Sequence, residues 1–183
     1  MQIIWTALLL ASSALALPAN PNGKGDNCCT KKSSHTKKLT VKDFDFHASY
    51  IFSTPAHQNS WGYVNFGLYN PNTDYQPSCN ASSNQLSDFF YGNVNYKCTD
   101  PSGYETTFSF SRPNNDLRVN QTWACKDEGS HFTAHAGALL KLDCKETKWQ
   151  NPDWKPGQFY STRDITCTHV DRKIPITDLE AVA

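Results

Sequence analysis

The chain has 183 residues, with 17 Lys+Arg balanced by 17 Asp+Glu, and seven cysteines. A chain of zero net charge has no field to hold nucleic acid or an anionic membrane surface, so neither is expected as a partner. Seven cysteines within one domain's length point to an oxidising compartment and a disulfide framework, and the odd count leaves at least one thiol free or bonded to another chain.

Residues 1–16 have the form of a secretory signal peptide. Ile3 to Leu10 with Ala11 is an apolar run, and Ala14-Leu15-Ala16 supplies the small-x-small cleavage pattern, although no Lys or Arg precedes the run. The run is too short to span a bilayer, so the product is expected outside the cell, with Leu17 as its first residue and no membrane insertion. The closing ITDLEAVA has neither a lipid-anchor tail nor an ER-retention tetrapeptide.

Residues 17–38 are rich in Pro, Asn, Gly, Ser and Lys, which predicts a flexible basic arm. Lys31, Lys32, Lys37 and Lys38 form its basic run, read as a solvated segment, with contact to a polyanion such as pectin as the alternative. Cys28 and Cys29 adjoin. A bond between neighbours is strained, so one or both are expected to reach the body or another chain.

The body is predicted over residues 39–170. Phe44, Phe46, Ala48, Tyr50 and Phe52 alternate with polar residues, as do Val64, Phe66 and Leu68 in the Trp61–Tyr69 stretch. Residues 74–86 look like a loop containing Cys79; 89–98 look like a strand with a bulge at Gly92. Asp100-Pro101-Ser102-Gly103 is a turn signal, followed by Tyr104, Thr106, Phe108 and Phe110 in alternation. Leu117 to Cys125 and His131 to Cys144 alternate again; 145–157 reads as a loop, and 160–170 as a last strand. Residues 171–183 are expected as a tail with a short helical turn over 176–182. Many short strands with regular turn signals predict an all-β fold: one compact antiparallel barrel or sandwich of about seven or more strands, stabilised by disulfides.

The spacing of Cys79 and Cys98 makes them the natural first pair. Cys125–Cys144 and Cys144–Cys167 are competing second bonds, and the cysteine left over would pair with Cys28 or Cys29; sequence does not choose among these connectivities. Asn80 and Asn120 head the N-glycosylation sequons Asn80-Ala81-Ser82 and Asn120-Gln121-Thr122.

No nucleophile elbow, zinc-protease helix, phosphate loop or dinucleotide fingerprint occurs. His131 and His135 have the i, i+4 spacing of helical metal ligands. On a strand such residues stand about 13 Å apart, so one ion cannot take both, and no metal or cofactor is expected. Asp88, Asp100, Glu105, Asp116, Asp127 and Glu128 offer carboxylates for a glycosidase pair, and Glu105, Arg112 and His131 offer ribonuclease residue types, but no spacing selects any of them. No catalytic residue is therefore assigned. Trp149, Trp154, Tyr63 and Tyr69 are the candidates for partner contact, because exposed aromatics on a rigid frame anchor sugars or proteins.

The Val41-Lys42-Asp43-Phe44 opening, the Trp61–Leu68 strand, Cys79 with the aromatic run to Cys98, Leu117-x-Val119-x-Gln121-x-Trp123-x-Cys125 and the Ala/Leu-rich strand ending at Cys144 resemble the fungal AA1-like family, founded on the major Alternaria allergen. The likeness covers residues 39–167. It implies a disulfide-bonded β-barrel able to form a homodimer, with Cys79–Cys98 as its first bond. It also implies secretion by an ascomycete and activity as an allergen, elicitor or apoplastic effector that binds a host protein or a small phenolic ligand. The third cysteine of the 125–144–167 set, the Cys28-Cys29 pair and the long 145–160 segment depart from the family pattern. The leading expectation is a secreted, non-enzymatic effector or elicitor acting on a plant apoplastic or cell-surface protein. The alternatives are a secreted hydrolase of cell-wall polysaccharide or RNA, and a structural cell-wall protein.

Overall fold

A computed structural model describes residues 29–84, 90–126 and 128–182. In chain order they form a helix α1 (Cys29–His35) and strands β1 (Lys38–Thr54), β2 (His57–Tyr69), β3 (Ser78–Ser83), β4 (Tyr96–Lys97), β5 (Thr106–Ser111), β6 (Asp116–Cys125), β7 (Ser130–Leu139), β8 (Cys144–Gln150), β9 (Ser161–Cys167) and β10 (Val170–Val182). Eight strands run in the order β3-β2-β1-β10-β7-β6-β5-β4, each antiparallel to its neighbour. The ring closes at a seam where Ser78 and Thr99 exchange backbone hydrogen bonds of 2.9 and 2.8 Å beside the Cys79–Cys98 disulfide. The expected all-β barrel is the fold observed.

The alternating positions line the interior. Phe44, Phe46, Val64, Leu68, Phe108, Phe110, Leu117 and Val119 are at most 1% exposed. Phe110 lies 5.3 Å from Phe44 and 5.9 Å from Phe46, ring centre to ring centre, so this core is largely aromatic. Strand β1 changes phase on its way through. Leu39 and Val41 face inward, and so do Phe44 and Phe46, because a bulge between Lys42 and Asp45 carries Asp43 at φ 54°. Asp tolerates this left-handed backbone better than most residues. The backbone N–H of Asp43 donates to Asp171 at 2.9 Å and holds the bulge.

Strand β1 is longer than the barrel is deep. Its first part pairs with β10, and from His47 to Phe52 the same edge pairs with β9 instead. Strand β8 then adds to β9, with Cys144 opposite Cys167 and bonded to it. A four-stranded wing, β2-β1-β9-β8, thus extends the barrel wall.

Several expectations are corrected. Within the arm expected over 17–38, residues 29–35 are helical and anchored: Cys29 bonds Cys125, Ser33 is fully buried, and Trp123 Nε1 donates to Ser33 Oγ at 2.9 Å. The tail expected over 171–183 is the barrel strand β10 through Val182; it carries buried Ile174, and no helical turn forms over 176–182. Residues 145–150 are strand rather than loop, because Cys144 starts β8 and does not end the preceding strand. Cys79 lies in β3, not in a loop. The 89–98 segment keeps only the two residues of β4 and a Tyr91–Ser111 bridge. The expected signal peptide, residues 17–28 with Cys28, and Asp88 and Asp127 lie outside the described residues.

Candidate functional site

The wing has an inner and an outer face because side chains alternate along each strand. Ala48, Tyr50 and Phe52 continue the interior line. Asp45, His47, Ser49 and Ile51 therefore face outward, and the register sets Asn65, Tyr63, Trp61 and Asn59 opposite them on β2. The His47 ring lies 5.4 Å from Tyr63 and 5.4 Å from Trp61, and Trp61 stacks on Tyr63 at 5.9 Å with 29° between planes. Trp61 keeps 44% of its surface exposed. Three rings on a continuous sheet are held rigidly, so a partner stacking on them loses little conformational entropy in ordering the site.

Polar groups continue this face at one end. The Tyr63 hydroxyl is raised above its usual pKa, first by partial burial and then by its hydrogen bond to Asp45. His169, in the β9–β10 turn, places Nδ1 2.8 Å from Asp43 and Nε2 3.4 Å from Asp45. The Asp43 hydrogen bond, and then the Asp45 charge, raise the His169 pKa above 6.5. A cleft of about 500 Å³ lies beside these groups, with Asn65, Gln76 and Asn80 on its wall.

The sign of this coupling is testable. A histidine with a raised folded pKa contributes its stabilisation fully below pH 6.5 and loses it as pH rises through the higher folded value. Replacing Asp43 with Asn keeps the left-handed backbone comfortable and removes the charge. NMR titration of the D43N variant should show the His169 midpoint moving down toward the ordinary value; an unmoved midpoint would contradict the pairing.

The four aromatics nominated from sequence do not form one site. Tyr63 belongs to the cluster just described. Trp149, 52% exposed, sits at the far margin of the same outer face, in a row with Thr162, Ile51 and Asn59. Tyr69 is exposed, but six residues along β2 puts it roughly 20 Å from Tyr63. Trp154 is occupied within its own turn: Nε1 donates to the Gln158 carbonyl at 2.8 Å, and the ring meets Tyr160 edge-on at 5.9 Å. Trp61 and His47 were missed. Alternation with Val64, Phe66 and Leu68 was enough to place Trp61 beside Tyr63, whereas His47 needed the β1–β2 register.

Among the described residues weighed for catalysis, Asp100, Glu105, Asp116, Arg112 and His131 hold separate structural contacts. Asp100 accepts from Ser102 and Thr106 and closes its turn. Glu105 faces Lys97, Asp116 accepts from Arg118, and the Arg112 guanidinium lies 4.8 Å over the Phe46 ring. His131 packs edge-on against Tyr104 at 6.0 Å. Glu146 on β8 is held down to about 2 by hydrogen bonds from Arg163 and then Lys148, as a surface strand pair would be. Asn80 is exposed on β3. Asn120 is half-buried and already bonded on both sides, to Thr107 and His135.

The family model described as Alternaria alternata allergen 1 (AltA1) matches residues 41–167. The chain belongs to the AltA1 family. That span begins inside β1 and ends at Cys167, so it takes in two of the three disulfides and the whole outer face of the wing except His169. Comparisons with curated proteins and with solved structures gave no match. Helix α1 and strand β10 lie outside the matched span, yet both are built into this barrel.

Proposed function

We propose that this AltA1-family chain is a secreted, non-enzymatic effector or elicitor that acts in the plant apoplast by binding a host protein. The observation that carries the reading is the His47–Trp61–Tyr63 cluster: three rings in mutual contact, His47 and Trp61 both stacked on Tyr63, outward on a rigid disulfide-bonded sheet, with no packing role in the core. Aromatic anchors of this kind supply most of the energy in protein interfaces. Three disulfides suit an oxidising extracellular medium. A small phenolic ligand is a second reading. It is favoured by a separate cleft of about 600 Å³ walled by Tyr75, Pro101 and Tyr104, a volume within the range of small-molecule sites.

The test is infiltration of the purified oxidised protein into host leaves, beside a reduced and alkylated control. Cell death, a defence burst or suppression of a standard elicitor is expected from the oxidised protein alone. Equal responses to both forms would show that the folded surface is not what the plant reads. No response from either would sink the effector reading and favour a hydrolase or a wall protein.

A further inference from the structure

The last strand carries a bulge that decides which of its side chains face outward. Ile176 lies opposite Ala136, yet Asp178 lies opposite His135, so β10 advances two residues against one of β7. In an unbroken ladder Thr177 would oppose His135, and Asp178 would point inward beside Ala134. The bulge instead turns Leu179 in against the Trp123 cluster and sets Asp178 and Glu180 outward, both exposed. Thr177 Oγ1 donates to the His135 carbonyl at 3.0 Å and fixes the bulge to β7.

Ligand-type atoms of His135, Asp178 and Glu180 all lie within 4.8 Å of one another. Ligand atoms around an ion bound at 2.0–2.2 Å stand about 3 to 4 Å apart, a contraction within reach of two exposed carboxylates by side-chain rotation. Among the described residues, neither carboxylate has a Lys or Arg partner.

The imidazole is already oriented. Asn120 Nδ2 donates to Thr107 Oγ1 at 3.3 Å, which turns Asn120 Oδ1 toward His135 to accept from Nδ1 at 2.7 Å. A proton on Nδ1 leaves the Nε2 lone pair free, the form in which histidine binds metal, and an oriented second hydrogen bond of this kind is what metal-binding histidines carry.

We propose that His135 Nε2 and the Asp178 and Glu180 carboxylates bind a divalent first-row cation of the zinc type on the outer face of β7 and β10. One imidazole with two carboxylates leaves positions open to water. The nitrogen ligand selects against Ca²⁺ and Mg²⁺, which take oxygen ligands. Asn120 is the positioning residue, and His131 takes no part.

The experiment uses the oxidised chain without residues 1–16, made unglycosylated so that Asn120 is bare. Calorimetric titration with Zn²⁺ should show one saturable site that excess Mg²⁺ or Ca²⁺ does not compete for. Long-range ¹H–¹⁵N NMR should show the His135 proton on Nδ1 before metal and a shifted Nε2 resonance after it. The surface double variant D178N/E180Q should weaken Zn²⁺ binding at least about tenfold, and N120A by about 10- to 100-fold. H131Q should bind as the parent does. Absence of saturable binding, a His135 proton on Nε2, or unchanged affinity in D178N/E180Q would each overturn the proposal.

Discussion

Replacing Cys29 and Cys125 together by alanine is expected to cost more stability than removal of either other disulfide. The bond spans 96 residues, against 19 for Cys79–Cys98 and 23 for Cys144–Cys167. Loop-closure entropy gives about 4 to 5 kcal/mol for the long link and about 3 for each short one. The structural consequence differs as well. Cys29 is the covalent anchor of α1, whose other ties include Ser33 under Trp123, Thr30 to Ser130 at 3.1 Å and, just past the helix, Asn72 to Thr36 at 2.7 Å. Without the bond those contacts must hold a helix of seven residues, too short to be stable alone. The C29A/C125A variant should melt roughly 10 °C lower and exchange its Ser33 and Ser130 amides faster, while the main core keeps its spectrum. A melting temperature within 2 °C of the parent, on a scale of roughly 2–4 °C per kcal/mol, would show that α1 contributes little.

Trp123→Ala is the second large effect. Trp123 is fully buried, stacks on Phe132 at 5.5 Å with 14° between planes, and donates its indole N–H to Ser33. Truncation removes the ring and leaves a cavity, at a cost of about 3–5 kcal/mol. It also leaves Ser33 buried without its donor. W123F keeps a ring on Phe132 but loses the hydrogen bond and part of the buried ring volume, so chemical denaturation should rank it between the parent and W123A. If W123F and W123A fall equally, the ring stacked on Phe132 contributes little to this end of the barrel. W123A and C29A/C125A act on the same helix, so their combined loss should be smaller than the sum.

The barrel was legible in the sequence wherever one face is dry and the other wet. Phe44, Phe46, Val64, Phe66, Phe108 and Val119 alternate because each sits on a wall with water on one side, and period 2 then names the strand. The pattern failed where that condition lapses. Strand β8 is exposed at nearly every position, so its Lys, Glu and Trp give no alternation, and only Cys144 opposite Cys167 marks it as strand. Strand β10 hides its period behind Pro175 and the bulge before Asp178. Helix α1 has one buried residue, Ser33, so no apolar stripe announced it. Long-range pairing was equally out of reach. Alternation places Trp61 and Tyr63 on one face, but His47 joins them only through register, and His169 meets Asp43 only because β10 returns beside β1. The bond between Cys29 and Cys125 follows from where the helix docks, which the spacing of cysteines does not encode.

In the proposed reading, the outer face of the wing carries the activity. The most direct measurement is a dose–response by leaf infiltration comparing the oxidised parent with a W61A/Y63A variant whose melting temperature and disulfides are shown to be intact. These side chains are outward and partly exposed, so the fold should survive their loss. The expected result is a response that needs at least about ten times more variant protein, the effect of losing two hot-spot aromatics. Superimposable dose–response curves would contradict the account and move the functional surface elsewhere on the barrel.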